Sequence, residues 1–274
     1  MTILVTGMAV ADSVPFDPTR GLVEVPVIID GRVNGSLGID TGADRLYIDS
    51  TFAHRNGLSF VRSIPQRPVT GIEGTSPAGV VEIRSLRVGG DALFNLQATA
   101  IDLHKLIRDQ SHGFPDGLIG HEFLRRFYVT VDYPGRSLKL EMGLPDFKKS
   151  GGADLIGSID FSTHRHLIVV EVTFDSGVTA PMILDYCASY TAVSRSLANR
   201  LGLNAEHNKR QIVPFMSIGS ILNASQVPVV VTDLSHFKKS LRWTRFEGIV
   251  GASFLHKYKL TIDYKADRIY VHRR

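Results

Sequence analysis

A single cysteine, Cys187, stands in a chain of 274 residues. No internal disulfide can form, so cysteine usage gives no sign of an oxidising compartment. Long apolar runs are missing as well: none approaches the ~18 residues that a membrane-spanning helix needs. There is no basic block; the net charge is only +4 and the charges are scattered, which argues against a phosphate-tracking surface. Ten histidines are present, but none has zinc-ligand spacing, and His164-x-His166 reads as an exposed pair at the start of a strand. No nucleophile elbow marks a serine hydrolase. Gly35 and Gly38 do not open a long helix, so there is no phosphate-binding loop. These absences point away from nucleic acid, membrane spans, metals and organic cofactors.

Hydrophobic residues make up 43% of the chain and charged residues 21%, the profile of a globular protein with one large core or two smaller ones. At the N-terminus Ala9-Val10-Ala11 precedes Asp12, in the manner of a secretory cleavage site, although no basic stretch comes before it. Residues 1–13 are therefore set apart as an N-terminal segment. A periplasmic or secreted location is expected, with a cytoplasmic one as the alternative.

The chain repeats itself. Phe16, Arg20, Leu22, Val25, Val27, Asp30, Val33, Asp40 and Ala43 fall without a gap on Phe161, Arg165, Leu167, Val170, Val172, Asp175, Val178, Asp185 and Ala188. The same shift carries Ala53, Arg55, Gly57 and Leu58 onto Ala198, Arg200, Gly202 and Leu203. A second block follows: Gly117-Leu118-Ile119-Gly120 matches Gly248-Ile249-Val250-Gly251, and Val129 to Tyr133 matches Leu260 to Tyr264. The first copy is longer between its blocks, and the excess is expected around Ala92 to Phe114. The repeat divides the chain into a first lobe at 14–146, a linker at 147–158 and a second lobe at 159–274.

Each copy reads as β-rich. Val23, Val25 and Val27 recur at period two, as do Val170 and Val172, the pattern of half-buried strands. Asp30-Gly31 is a hairpin turn signal. Leu46-Tyr47-Ile48 is a short strand, after which Ser50 is expected to cap a helix over 51–56 that ends at Gly57. Ser194 and Gly202 repeat that course. Short helices are expected over 122–127 and 253–258, and Pro134-Gly135 marks a turn.

The organising stretch is Leu37-Gly38-Ile39-Asp40-Thr41-Gly42-Ala43, an apolar strand ending on a carboxylate. It is followed by Gly71-Ile72-Glu73-Gly74 and then by Leu118-Ile119-Gly120. In this order the three segments resemble the catalytic loop, flap tip and supporting hydrophobic-hydrophobic-Gly segment of retropepsin-like and pepsin-like aspartic proteases. The second copy offers Asp185, Met216 to Gly219 and Ile249-Val250-Gly251. The resemblance covers about residues 14–144 and 159–273. It implies an all-β protein of two tandem retropepsin-like β-barrel lobes in a pepsin-like bilobal arrangement, with short helices in each.

The same resemblance implies an aspartic endopeptidase. Asp40 and Asp185 would share a proton and activate a water, since two adjacent carboxylates do not both ionise readily. Thr41, Gly42, Ala43, Tyr186, Cys187, Ala188 and Ser189 would form the active-site loops, and Gly71, Ile72, Glu73 and Gly74 the flap over a peptide substrate. No metal or cofactor is implied, and one chain would suffice as a monomer. The second loop departs from the pattern: Tyr186 stands where the family has Thr, and Cys187 where it has Gly. Two alternatives follow, a non-catalytic peptide-binding pseudoprotease and a homodimer that uses only the first-lobe aspartates.

Overall fold

The computed structural model describes residues 13–61, 68–71, 74–106 and 113–273. The apolar N-terminal stretch and the flap residues Ile72 and Glu73 lie outside these residues. The fold is mostly β, in two barrel lobes joined by a third sheet.

In the first lobe six strands close on themselves in the order Glu24–Ile29, Val33–Ile39, Gly117–Ile119, Leu46–Asp49, Asp91–Ile101 and Ala78–Val88. Val27 against Val88 closes the ring, and the short strand Ser59–Phe60 adds to the Ala78–Val88 edge. The alternation read in the sequence is the cause. Val25, Val27 and Ile29 point into the barrel, while Pro26 and Ile28 face out. Asp30 and Gly31 both take positive φ, the geometry of a tight hairpin. The second lobe closes likewise through Leu167–Phe174, Thr179–Leu184, Gly248–Val250, Thr191–Ser194, Leu222–Thr232 and Arg210–Ile218, with Ser162–His164 as the added strand.

The third sheet runs Val14–Pro15, Ser137–Glu141, Tyr128–Asp132, Lys259–Asp263, Arg268–His272 and Leu155–Asp160. Its two central strands come from the two copies of the repeat and pair antiparallel, Thr130 opposite Thr261. These threonines occupy equivalent positions, and their hydroxyls are 2.7 Å apart. The internal symmetry axis therefore passes through the middle of this sheet. Residues 147–158 include the end of a helical turn, Asp146–Lys149, and enter the sheet as strand Leu155–Asp160.

Local expectations need correction in four places. The helix after Leu46–Asp49 spans Ser50–Arg55, and its cap is Asp49, whose Oδ1 accepts from the Phe52 N–H at 3.0 Å. Ser194, the true counterpart of Asp49 across the repeat, caps Arg195–Arg200 as expected. The helices expected over 122–127 and 253–258 span His121–Leu124 and Ala252–Leu255. The extra length of the first copy does not lie around Ala92 to Phe114. It lies between helix Ser50–Arg55 and strand Ala78–Val88, where the second lobe needs only residues 201–209 to go from Arg195–Arg200 to Arg210–Ile218. Met216 to Gly219 is correspondingly not a second flap. It ends the hairpin arm whose first-lobe counterpart is Leu86 to Gly89, and Gly89 and Gly219 share a φ of +58°.

Candidate active site

Strands Val33–Ile39 and Leu46–Asp49 flank Gly117–Ile119, parallel and antiparallel to it. The loop between them, 40–45, is pinned by backbone groups. The Asp40 N–H donates to Ile119 O at 3.0 Å, and the N–H groups of His121 and Glu122 donate to the carbonyls of Ala43 and Asp44 at 2.9 and 3.0 Å. Gly120 lies so close beneath the loop that a Cβ there would overlap the Ala43 and Arg45 carbonyls. The second lobe repeats three of these supports. Asp185 N–H donates to Val250 O, Ala252 N–H donates to Ala188 O, and Gly251 lies under the carbonyls of Ala188 and Tyr190.

The two loops meet tip to tip. A Cβ placed on Gly42 would sit 2.9 Å from Asp185 Oδ2 and 3.2 Å from Asp40 Oδ1. One oxygen of each carboxylate thus borders the space that Gly42 leaves empty. Gly42 does not have positive φ; the glycine is required for room, not for a left-handed turn. Each carboxylate also accepts one hydrogen bond from its own loop, Gly42 N–H to Asp40 Oδ1 at 2.8 Å and Cys187 N–H to Asp185 Oδ1 at 2.7 Å. Burial, and then the charge of Asp185, hold Asp40 well above the usual carboxylate range, against the opposing N–H groups of Gly42 and Ala43. Burial also raises Asp185, against the Cys187 N–H. A pair raised on both sides retains a proton where isolated carboxylates have lost theirs.

Thr41 ties the lobes together. Its hydroxyl donates to Leu184 O at 2.8 Å and accepts from the Tyr186 N–H at 3.2 Å, and it is fully buried. The reciprocal contact is not made by the other lobe. Tyr186 turns its buried ring toward Tyr133, 6.0 Å between centroids, and its hydroxyl has no hydrogen-bond partner among the described residues. Cys187 sits beside Gly38, where a Cβ would approach its Sγ to 3.3 Å. Burial first, then Asp40 and Asp185, push its thiol well above its ordinary value. A thiol so placed is a poor nucleophile.

The expected flap is a two-stranded hairpin, Val69–Thr70 with Thr75–Ser76, and the Gly71 N–H donates to Gly74 O at 2.9 Å. The Ser76 hydroxyl accepts from the Asp102 N–H and fastens the hairpin to the turn Leu103–Lys105. Val69 packs on the apolar cluster of Ala43, Tyr47, Ile101, Leu103, Leu106 and Leu118, which Cys187 also borders. Hairpin and both loops therefore share one apolar surface. Ala188 occupies the same place on a second cluster, with Leu167, Ile183, Leu234, Phe246 and Ile249. Ser189 lies against Gly21, where a Cβ would come within 3.1 Å of its Cα.

Two residues beside the site have no functional role in the sequence reading. His166 is not an exposed strand residue; its Nε2 lies 3.0 Å from the Gly42 carbonyl and its ring is half-buried. His121, its ring 6.5 Å from that of His166, packs edge-on against Tyr264 at 5.1 Å. The available signal is the repeat itself, which places these histidines opposite Gly21 and Ala252. Among the described residues, no three His, Cys, Asp or Glu side chains cluster as metal ligands would. No helix among them is long and apolar enough to cross a membrane.

A family model described as aspartyl protease matches residues 25–123. That span runs from the first barrel strand through the Asp40 loop and the hairpin to the helix after Gly120. It covers only part of the chain and leaves out the second lobe. No curated protein matches the chain.

Proposed function

We propose that this protein is an aspartic endopeptidase whose catalytic pair is Asp40 and Asp185 of one chain. The observation that carries the reading is the meeting of two raised carboxylates at the Gly42 gap, each on an equivalent loop of one lobe. The match of residues 25–123 to aspartyl proteases supports it for the first lobe.

The chemistry follows from the shared proton. The ionised carboxylate takes a proton from a water held between the two groups. The oxygen of that water attacks the scissile carbonyl carbon while the protonated carboxyl donates to the carbonyl oxygen. The tetrahedral intermediate then collapses: the C–N bond breaks, the leaving nitrogen receives a proton from the protonated carboxyl, and the ionised carboxylate takes one from a diol hydroxyl, which restores the shared proton. One oxygen of each carboxyl group is held by a loop N–H, Asp40 Oδ1 by Gly42 and Asp185 Oδ1 by Cys187, which restricts the orientation of both groups. The hairpin ending at Gly71 and Gly74 would cover an extended peptide and exclude water.

One specific observation favours a second reading. The reciprocal interlobe contact is lost at Tyr186, so the same cleft could serve as a peptide-binding site without turnover. Incubation of the purified protein with an unfolded polypeptide decides between them. The endopeptidase reading expects cleavage with an acid-side optimum that disappears in Asp40→Asn. Cleavage undiminished in Asp40→Asn would exclude the aspartic mechanism. Binding of the polypeptide without cleavage at any pH from 3 to 8 would establish the second reading.

A further inference from the structure

We propose that His166, a residue of the second lobe, is a positioning residue that acts on Asp40 of the first lobe through the Gly42–Ala43 peptide. This rests on the reading of Asp40 as half of a catalytic pair.

His166 closes the turn between strands Ser162–His164 and Leu167–Phe174, next to Arg165 with its φ of +58°. The turn carries the ring across the lobe boundary to the Gly42 carbonyl, 3.0 Å from Nε2. A carbonyl oxygen only accepts, so Nε2 must carry the hydrogen. Burial lowers the pKa of His166, and the neutral ring is therefore the Nε2–H tautomer with an unprotonated Nδ1.

The peptide that receives this bond is the one that supports Asp40. Its carbonyl belongs to Gly42, and its N–H, that of Ala43, donates to the main-chain carbonyl of Asp40 at 3.4 Å and lowers the pKa of that residue's carboxyl. A hydrogen bond to one end of an amide fixes its plane and strengthens the donor at the other end. His166 thus orients the group that feeds Asp40, from the lobe that carries Asp185.

The internal repeat shows that the contact is an addition to the fold, not a requirement of it. Gly21 is the counterpart of His166, and it lies against Ser189, the counterpart of Asp44, with space for no side chain: a Cβ there would be 3.1 Å from the Ser189 backbone. Both crossing turns reach the opposite loop, and at the position where His166 donates to the Gly42 carbonyl the other turn has Gly21, which has no side chain. The first-lobe loop that His166 reaches also has the Thr41 contact to the second lobe.

Three measurements on the full chain test the proposal. In the parent, ¹⁵N shifts of His166 should show the Nε2–H tautomer at neutral pH; the Nδ1–H tautomer would overturn the proposal without any substitution. In H166A, amide exchange at Gly42 and Ala43 should quicken about tenfold while the barrel strands stay protected. Unchanged exchange there would overturn it, whether or not the protein cleaves peptides. In turnover, H166A should lower kcat about tenfold with KM within about twofold, and H166Q, whose amide nitrogen reaches about as far as Nε2, should recover most of the loss. Equal loss in H166A and H166Q, or a change confined to KM, would overturn the positioning role. If the parent fails to cleave at all, the endopeptidase reading falls, and the exchange measurement still decides whether His166 holds the loop.

Discussion

Replacing Asp40 by Asn removes one carboxyl while keeping its shape, and the structure gives the sign of the effect on stability. Asp40 and Asp185 are both raised by burial, and Asp40 further by its neighbour's charge. In the unfolded chain an Asp titrates near ~3.9. Below that pH both states are protonated and the pair has no effect on stability. Between the unfolded and folded values the folded state binds more protons, so stability falls as pH rises. Above the folded values the full penalty is present, about 1.4 kcal/mol for each unit of displacement. The asparagine amide carries no charge, still accepts from the Gly42 N–H through its oxygen, and offers an N–H toward Asp185. At neutral pH Asp40→Asn should therefore stabilise the fold by about 1–2 kcal/mol. For a chain of this size the gain corresponds to a rise in Tm of about 2–4 °C per kcal/mol. Near pH 4 the gain should shrink toward zero. Thermal unfolding of parent and variant at pH 4 and pH 7 reads both numbers. A gain equal at the two pH values, or a loss at pH 7 with the native fold retained, would refute the account of a proton-sharing pair.

The other predictions concern the parts that hold the pair. Thr41→Val leaves Leu184 O and the Tyr186 N–H buried and unpaired, so denaturant unfolding should show a loss of about 1–3 kcal/mol, which Thr41→Ser should largely avoid. Replacing residues 56–77 by the short second-lobe connection, residues 201–209, should leave the circular dichroism spectrum intact, because the second barrel closes with that length, while peptide turnover falls at least about tenfold. Cys187→Ser should keep turnover, since the thiol is raised by burial and by both carboxylates; complete loss with the fold retained would make the thiol a participant. Restoring an Asp-Thr-Gly loop with Tyr186→Thr and Cys187→Gly should destabilise the protein by about 3–5 kcal/mol, because the Tyr186 ring fills buried space beside Tyr133; an unchanged Tm would refute that packing role.

The two-barrel architecture was legible because the repeat is long and ungapped and because the strand alternation of Val23, Val25 and Val27 has one solution in a half-buried sheet. The equivalence of Asp40 with Asp185, and of Gly120 with Gly251, came from the same source, and the structure places each pair on equivalent loops. Finer errors arose where a local rule was preferred to the repeat. Ser50 has the composition of a cap, but the constant shift already paired Ser194 with Asp49. Met216 to Gly219 followed the Asp185 loop in the right order for a flap, yet strand pairing makes it the tip of the long hairpin. His166 was beyond reach for a different reason. Its partner is a backbone carbonyl some 124 residues away, and a backbone acceptor leaves no residue type for a pattern to find.

The central claim is that one chain supplies both carboxylates to one reaction. Turnover of an unfolded peptide by Asp185→Asn, beside Asp40→Asn and the parent at the same acid pH, tests it most directly. The account predicts that each substitution alone abolishes cleavage, and that an equimolar mixture of the two variants stays inactive. Cleavage by Asp185→Asn at the parent's rate would contradict it, and would move the reaction to two Asp40 loops meeting in a homodimer.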